Sequence, residues 1–119
     1  MIVMDRKKEL ISQYKQMRPP MGIFIVRSQV NDKCYIEVTQ NLRASINGTK
    51  FKLGAGNHIN RELQKEWKEF GEDHFTIEIL ENLEYDKDES KTDYREDLAI
   101  LKMIWEEKLA DKNTYFYKK

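Results

Sequence analysis

The sequence predicts an α+β domain in which a small three-stranded antiparallel sheet is flanked by helices, with an extra helix at the N-terminus. Strand formers surround the turn residues Asn31-Asp32, and a second alternating apolar segment covers residues 75–80. Elsewhere, apolar residues recur at the three-to-four spacing of a helix that buries one face. With 119 residues, of which 39% are hydrophobic, the chain is long enough for one domain and short for two.

The first predicted element is a helix over residues 4–17. Its apolar residues share one helix face: Leu10, Ile11, Tyr14 and Met17. Pro19-Pro20 then ends the helix, because proline has no amide hydrogen and forces the residue before it into an extended conformation. We therefore divide the chain into an N-terminal helix with its Pro-Pro linker, residues 1–20, and a domain over residues 21–119.

A β-hairpin is predicted next, with its tip at Asn31-Asp32 and its returning strand at Cys34-Tyr35-Ile36. Cys34 is the chain's single cysteine, so it excludes an internal disulfide and favours a reducing compartment. Its place in mid-strand beside an aromatic residue indicates a small buried side chain and not a nucleophile. No apolar run reaches membrane-spanning length and no N-terminal segment resembles a signal peptide, so we expect a cytoplasmic protein without a membrane partner.

Helices and one strand account for the rest of the chain. Thr39 or Asn41 can cap the first of these helices, and Asn60 can cap the second. A long last helix is expected to begin at Ser90 or Thr92. The residues expected on the inner faces of the three helices are Leu42, Ile46, Thr49 and Leu53; Leu63, Trp67 and Phe70; and Leu98, Leu101, Trp105 and Leu109.

The charges are balanced overall but unevenly distributed along the chain. Residues 1–61 carry eleven Lys and Arg against four Asp and Glu, whereas residues 62–111 carry seven against seventeen. One interpretation is a basic surface that faces nucleic acid and an acidic surface that faces something else. The other is that the two halves interleave in the fold and neutralise one another.

Two segments of the hairpin, Gly22-Ile23-Phe24 and Tyr35-Ile36-Glu37, are close to a known nuclease signature. Further residues match that signature in order along the chain: Asn31, Lys33, Asn41, Leu42, His58, Leu63, Gln64, Gly71, Phe75, Ile79, Leu80, Glu81 and Trp105. On these residues the chain resembles the GIY-YIG nuclease superfamily, in particular the nuclease domain of group I intron homing endonucleases. The resemblance runs from about Met21 to about Leu109.

The resemblance implies phosphodiester cleavage with one divalent metal ion. Two motif tyrosines act near the nucleophilic water, an arginine on the first helix steadies the phosphate, and a histidine lies one turn further on. A glutamate on the last helix binds the metal, since a hard cation such as Mg²⁺ prefers anionic oxygen.

Most of these chemical positions hold other residue types. Only Tyr35 matches, as the second tyrosine. The other five vestigial positions hold Phe24 for the first tyrosine, Glu37 for the last glycine of the motif, Ser45 for the arginine, Thr49 for the histidine and Lys102 for the glutamate. Phe24 has no phenolic oxygen, and a protonated Lys102 repels a cation. We therefore expect no intact catalytic set, no metal and no cofactor, with Mg²⁺ relevant only if residual nuclease activity exists.

Two neighbouring residues do not restore the missing groups. Arg43 lies two positions before Ser45, which turns it about 200° around a helix and away from the expected site. Glu106 lies one turn after Lys102 and could offer a carboxylate, although a solvated charge is the favoured interpretation. Because Glu37 and Lys102 are both replacements and opposite in charge, we hypothesise a salt bridge between them across the former metal site.

Three functions are compatible with these residues. The first is a catalytically inactive module that binds nucleic acid, DNA foremost, through Arg27, Arg43, Lys50, Lys52, His58 and Arg61. His58 is either a remnant phosphate contact or an exposed loop histidine. The second is a protein-interaction scaffold that uses the N-terminal helix or the aromatic tail, residues 115–117, which is otherwise core packing. The third is a divergent metal-dependent endonuclease. The oligomeric state is left open.

Overall fold

A computed structural model describes residues 18–112 and 114–118, and it shows a mixed four-stranded sheet with helices on both faces. The elements are β1 (Met21–Ser28), β2 (Lys33–Thr39), α1 (Leu42–Ala55), α2 (Arg61–Phe70), a 3-10 turn (Glu72–His74), β3 (Phe75–Leu83), α3 (Arg95–Asp111) and β4 (Tyr115–Phe116). The helix predicted for residues 4–17 lies outside the described residues.

The sheet contains one strand more than the sequence predicts. Its order is β3-β1-β2-β4, and β1 pairs antiparallel with both β2 and β3. The tail adds β4, which runs parallel to β2 with Tyr115 opposite Lys33, so the predicted three-stranded, purely antiparallel sheet is incomplete. A strand of two residues is too short for its side-chain alternation to be recognised in a sequence.

The glycine of the first motif allows β1 and β3 to approach closely. Gly22 has a φ of 156° and lies next to a register shift between Ile23 and Phe24. A Cβ atom at this position would be 2.1 Å from the backbone oxygen of Glu81, so no larger residue fits without moving β3. The glycine is therefore required by the packing of the sheet.

The core lies on both faces of the sheet, because successive side chains of β1 point in opposite directions. Ile23 and Ile25 pack with α3, whereas Phe24 and Val26 pack with α1 and α2. Cys34 of β2 is fully buried on the α3 side, and burial raises the pKa of its thiol to about 11. The thiol is therefore protonated near neutral pH, which confirms the prediction of a buried apolar side chain.

Two of the three predicted helix starts are confirmed. Asn41 caps α1 by accepting the Ala44 amide at 3.1 Å, and Asn60 caps α2 by accepting the Leu63 amide at 3.0 Å. The predicted start of the last helix at Ser90 or Thr92 is wrong.

The last helix, α3, begins at Arg95, because the Ser90 hydroxyl donates to the Asp88 carboxylate and Tyr94 is buried in the core ahead of the helix. None of the helices in the described part of the chain has both the length and the apolar character needed to cross a membrane.

Candidate functional site

A cleft of about 540 Å³ lies between β2, β4 and α3. Its floor includes apolar side chains such as Ile36, Val38 and Phe116, and its polar lining residues include Tyr35, Glu37, Lys102 and Glu106. The fold thus brings together three of the six sequence-predicted site positions, and adds Glu106.

Tyr35 and Glu37 are hydrogen-bonded to each other. They lie two positions apart on β2, so they share a face of the strand, and the Tyr35 hydroxyl donates to Glu37 Oε1 at 2.7 Å. Burial and the neighbouring carboxylate both raise the pKa of the Tyr35 phenol. The phenol therefore keeps its proton near neutral pH and uses it to bind a carboxylate within the same strand.

The salt bridge hypothesised between Glu37 and Lys102 is not formed. Both side chains line the cleft, yet no ion pair joins them among the described residues, where the pairs involve Lys33, Lys91 and Arg95. Glu37 instead accepts from Tyr35, which reaches it along the strand. Lys102 is half-buried at the edge of the cleft.

The side chains of this cleft do not fit a divalent metal. Among the described residues, no group of three or more His, Cys, Asp or Glu side chains is placed to hold an ion. The carboxylates of Glu37 and Glu106 share the cleft with the Lys102 ammonium, and Glu37 already accepts a hydrogen bond. Mg²⁺ is usually held through one or two carboxylates, and the ammonium beside these two opposes its binding.

The remaining vestigial positions are part of the packing around α1. Phe24 is fully buried between the sheet and the helices, and Thr49 is buried on the inner face of α1. Ser45, also on α1, shares a short hydrogen bond with the Thr39 hydroxyl at the end of β2. None of these three residues lines the cleft.

His58 is buried, so the prediction of an exposed loop histidine is wrong. Its exposed fraction is 7%, its Nδ1 accepts the Asn60 amide at 3.0 Å, and its ring meets the Tyr35 ring edge-on at 5.0 Å between centroids. Burial lowers the pKa of His58, which keeps the imidazole neutral near pH 7. This histidine supports the loop between α1 and α2 and packs against the Tyr35 ring.

The basic residues predicted to contact nucleic acid do not all converge. Arg43, Lys50 and Lys52 are exposed on α1, and Arg61 is exposed at the start of α2. Arg27 continues the alternation of β1 on the α3 side of the sheet, opposite to α1. The candidate nucleic-acid surface is therefore α1 together with the start of α2.

Sequence reasoning missed a polar cluster around Glu66 of α2. This glutamate is only 8% exposed, and its Oε1 accepts from Asn31 at 2.7 Å and from the Tyr117 hydroxyl at 3.0 Å. Lys33 bridges Glu62 at 3.0 Å and Glu66 at 3.4 Å. The cluster joins the hairpin tip, α2 and the tail, whose separation along the chain gives no local sequence signal.

The antiparallel hairpin, the strand order and the helices on both faces of the sheet are consistent with the GIY-YIG fold. The catalytic domain of the homing endonuclease I-TevI, a GIY-YIG enzyme, has the same fold with a TM-score of 0.64 and 22% identity; the match covers 83% of this chain and 99% of that one. A point mutant of the I-TevI catalytic domain matches with a TM-score of 0.64 and 20% identity over 83% and 92% of the two chains. No family model and no curated protein sequence matches the chain.

Proposed function

We propose that this nuclease-like domain binds nucleic acid and does not cleave it. The proposal of binding rests on the charge of α1. Between residues 42 and 55 the helix has three cationic residues, Arg43, Lys50 and Lys52, all exposed, and no carboxylate. Such a surface suits the phosphate backbone, which dominates the affinity of most nucleic-acid binders.

The cleft supports the second half of the proposal. Cleavage of the kind implied by the resemblance needs a metal-bound oxygen set, whereas Lys102 places an ammonium where that resemblance puts the metal-binding glutamate. The Tyr35 hydroxyl is bound to Glu37, and His58 is buried with its Nδ1 accepting the Asn60 amide, so neither is available as a base beside a phosphate. Glu37 and Glu106 also repel a phosphate from the cleft, which leaves α1 as the binding surface.

Fluorescence anisotropy with labelled DNA tests the binding. We expect the affinity of the wild-type chain for DNA to fall linearly on a log–log plot against salt. The double charge reversal Lys50→Glu with Lys52→Glu should weaken binding at least about 10-fold at low salt. Lys108→Glu with Lys112→Glu is the matched control, because it makes the same charge change on exposed positions at the end of α3, which packs on the other face of the sheet from α1. Absence of any complex with duplex, branched or single-stranded DNA at low salt would refute the proposal.

A plasmid-nicking assay tests the absence of cleavage. The supercoiled plasmid should stay intact with Mg²⁺ or Mn²⁺ present. Nicking that the Tyr35→Phe variant abolishes would instead establish the divergent endonuclease. The same substitution leaves the ring contact with His58 in place, so the change is confined to the hydroxyl.

A second candidate function, a protein-interaction scaffold, is favoured by one feature of α3. Ile100, Met103 and Ile104 are exposed at the three-to-four spacing of a helix stripe, and Met103 is 68% exposed. Such a stripe fits a partner that presents an apolar helix of its own. Co-purification of a partner that is lost with Met103→Glu and kept with Lys108→Glu would support this function. A monomer by light scattering together with an empty pull-down would count against it.

A further inference from the structure

We propose that Phe51 of α1 is a stacking platform for an unpaired nucleobase, and that the nucleic acid recognised here is single-stranded or contains unpaired bases. This inference rests on the proposed function and names its substrate class. The first observation is exposure. Phe51 is 76% exposed on a helix that buries Leu42, Thr49 and Leu53 on its other side. A phenylalanine so exposed contributes little to the core of the folded protein.

The second observation is that the helix surface around the ring carries only small side chains. The positions three, four and seven residues before Phe51 and three and four after it are the neighbours on that face. They are Gly48, Asn47, Ala44, Gly54 and Ala55. Beyond the adjacent residues and the backbone of the helix itself, a Cβ atom added at either glycine would have no atom within 4 Å. The ring is therefore open to a flat ligand along the helix axis, since no long side chain lies in the turns directly before and after it on that face.

The third observation is the charge on either side of the ring. Lys50 and Lys52 are the sequence neighbours of Phe51 and leave the helix about 100° to each side of it. Both are exposed, and Arg43 lies two turns earlier on the same helix. A base stacked on the ring would thus have cations within reach of the phosphates before and after it, which is the arrangement of single-strand binding surfaces.

The geometry of nucleic acid decides between duplex and single strand. In a regular duplex both faces of each base are already stacked on neighbouring base pairs, so an exposed ring has no base to accept. An unpaired base offers a free face to an aromatic side chain, irrespective of its sequence. The lysines serve both kinds of nucleic acid, whereas Phe51 contributes only to the second. The exposed ring of Phe51 therefore predicts a preference for unpaired bases over a duplex, which the charges alone do not predict.

Anisotropy with fluorescent oligonucleotides of about 12 nucleotides tests the inference, using a mixed-sequence DNA strand, the matching RNA strand and the blunt DNA duplex. Phe51→Ala should weaken single-strand binding about 10-fold and change duplex binding less than about two-fold. Phe51→Trp should retain the affinity, because it retains the stacking surface. Met103→Ala on α3 is the control for removing an exposed apolar side chain, and should change neither affinity. The DNA and RNA strands tell which sugar is preferred.

The outcomes separate the inference from the proposed function. If Phe51→Ala binds single strands like the wild type while the Lys50 and Lys52 reversal weakens binding, the inference is overturned and the proposed function stands. If the wild type binds none of the three probes, both are overturned. If Phe51→Ala leaves every affinity unchanged and abolishes self-association in light scattering, the face contacts another protein and the inference is likewise overturned. Because Phe51 is exposed, a thermal melt should show that the alanine variant is folded.

Discussion

Glu66→Ala should destabilise the domain more than any other substitution of a charged residue in its described part. The Glu66 carboxylate accepts hydrogen bonds from Asn31 and from the buried hydroxyl of Tyr117. A hydrogen bond to a charged acceptor contributes about 1.5–3 kcal/mol, and removal of the acceptor leaves both donors unpaired. Water can enter the space of the lost side chain and recover part of this, so we expect a loss of about 2–4 kcal/mol.

Chemical denaturation followed by circular dichroism measures the free energy of unfolding directly. For a domain of this size the loss corresponds to a melting temperature lower by about 10 °C or more. Glu62→Gln is the control, because Glu62 bonds the same lysine from the more exposed edge of the cluster and should change the melting temperature little. We also expect the two residues to be energetically coupled. Tyr117→Phe should lower the free energy of unfolding less in the Glu66→Ala background than in the wild type.

A Glu66→Ala variant within about 0.5 kcal/mol of the wild type would refute this account. It would mean that Asn31 and Tyr117 find equally good partners once the carboxylate is gone. The tail would then be held by the pairing of β4 with β2 and by the packing of Phe116 and Tyr117 in the core, and the hydrogen bonds of the cluster would contribute nothing to its attachment.

Three further predictions concern single residues. Gly22→Ala should lower the free energy of unfolding by about 3 kcal/mol or prevent folding, because its Cβ would clash with the backbone of β3. Gly48→Ala, whose Cβ meets open space on α1, should instead raise the free energy of unfolding by about 0.5–1 kcal/mol in the same urea titration. Since the Cys34 pKa rises from about 9 to about 11 on folding, the unfolded chain releases the proton first; stability should fall between pH 9 and 11, and less steeply in Cys34→Ala. The lowered pKa of His58 means that stability is lost as the pH falls below about 6.5, so the stability of His58→Gln should depend less on pH between pH 7 and 5. For Cys34 and for His58 alike, identical slopes of stability against pH in variant and wild type would contradict the prediction.

The sequence predicted those features that depend on neighbouring residues. Asn41 and Asn60 cap their helices because the capping bond spans three residues, and such a signal is complete within a short window. The hairpin around Asn31-Asp32 is equally local. The resemblance to a nuclease fold was also recognisable, because the glycine and aromatic residues of the first motif are required by the packing of the sheet and not by chemistry alone.

The features that the sequence did not predict depend on residues far apart in the chain. The Tyr117 hydroxyl reaches Glu66 across 51 positions, and β4 is placed only when the tail returns to β2. An exposed loop histidine was one of two interpretations of His58, and it is wrong because the ring packs against Tyr35 of the hairpin. The predicted salt bridge between Glu37 and Lys102 is absent for a related reason. Opposite charges alone did not indicate that the Tyr35 hydroxyl would be the hydrogen-bond donor to Glu37.

Helix α1 shows how the proposed nucleic-acid surface could be independent of the catalytic positions that the resemblance implies. In the family that the chain resembles, the helix equivalent to α1 carries an arginine and a histidine that act near the phosphate. In this chain those positions hold Ser45 and Thr49. Thr49 is buried in the core, and the Ser45 hydroxyl bonds to Thr39, so both residues fix α1 to the sheet. The cations of α1 lie at other positions, on its exposed side. Anchoring and the proposed binding thus use two different faces of α1, and neither involves the cleft. A domain of this kind can accept a lysine where a metal ligand is expected, because its proposed contact with phosphate no longer passes through that site.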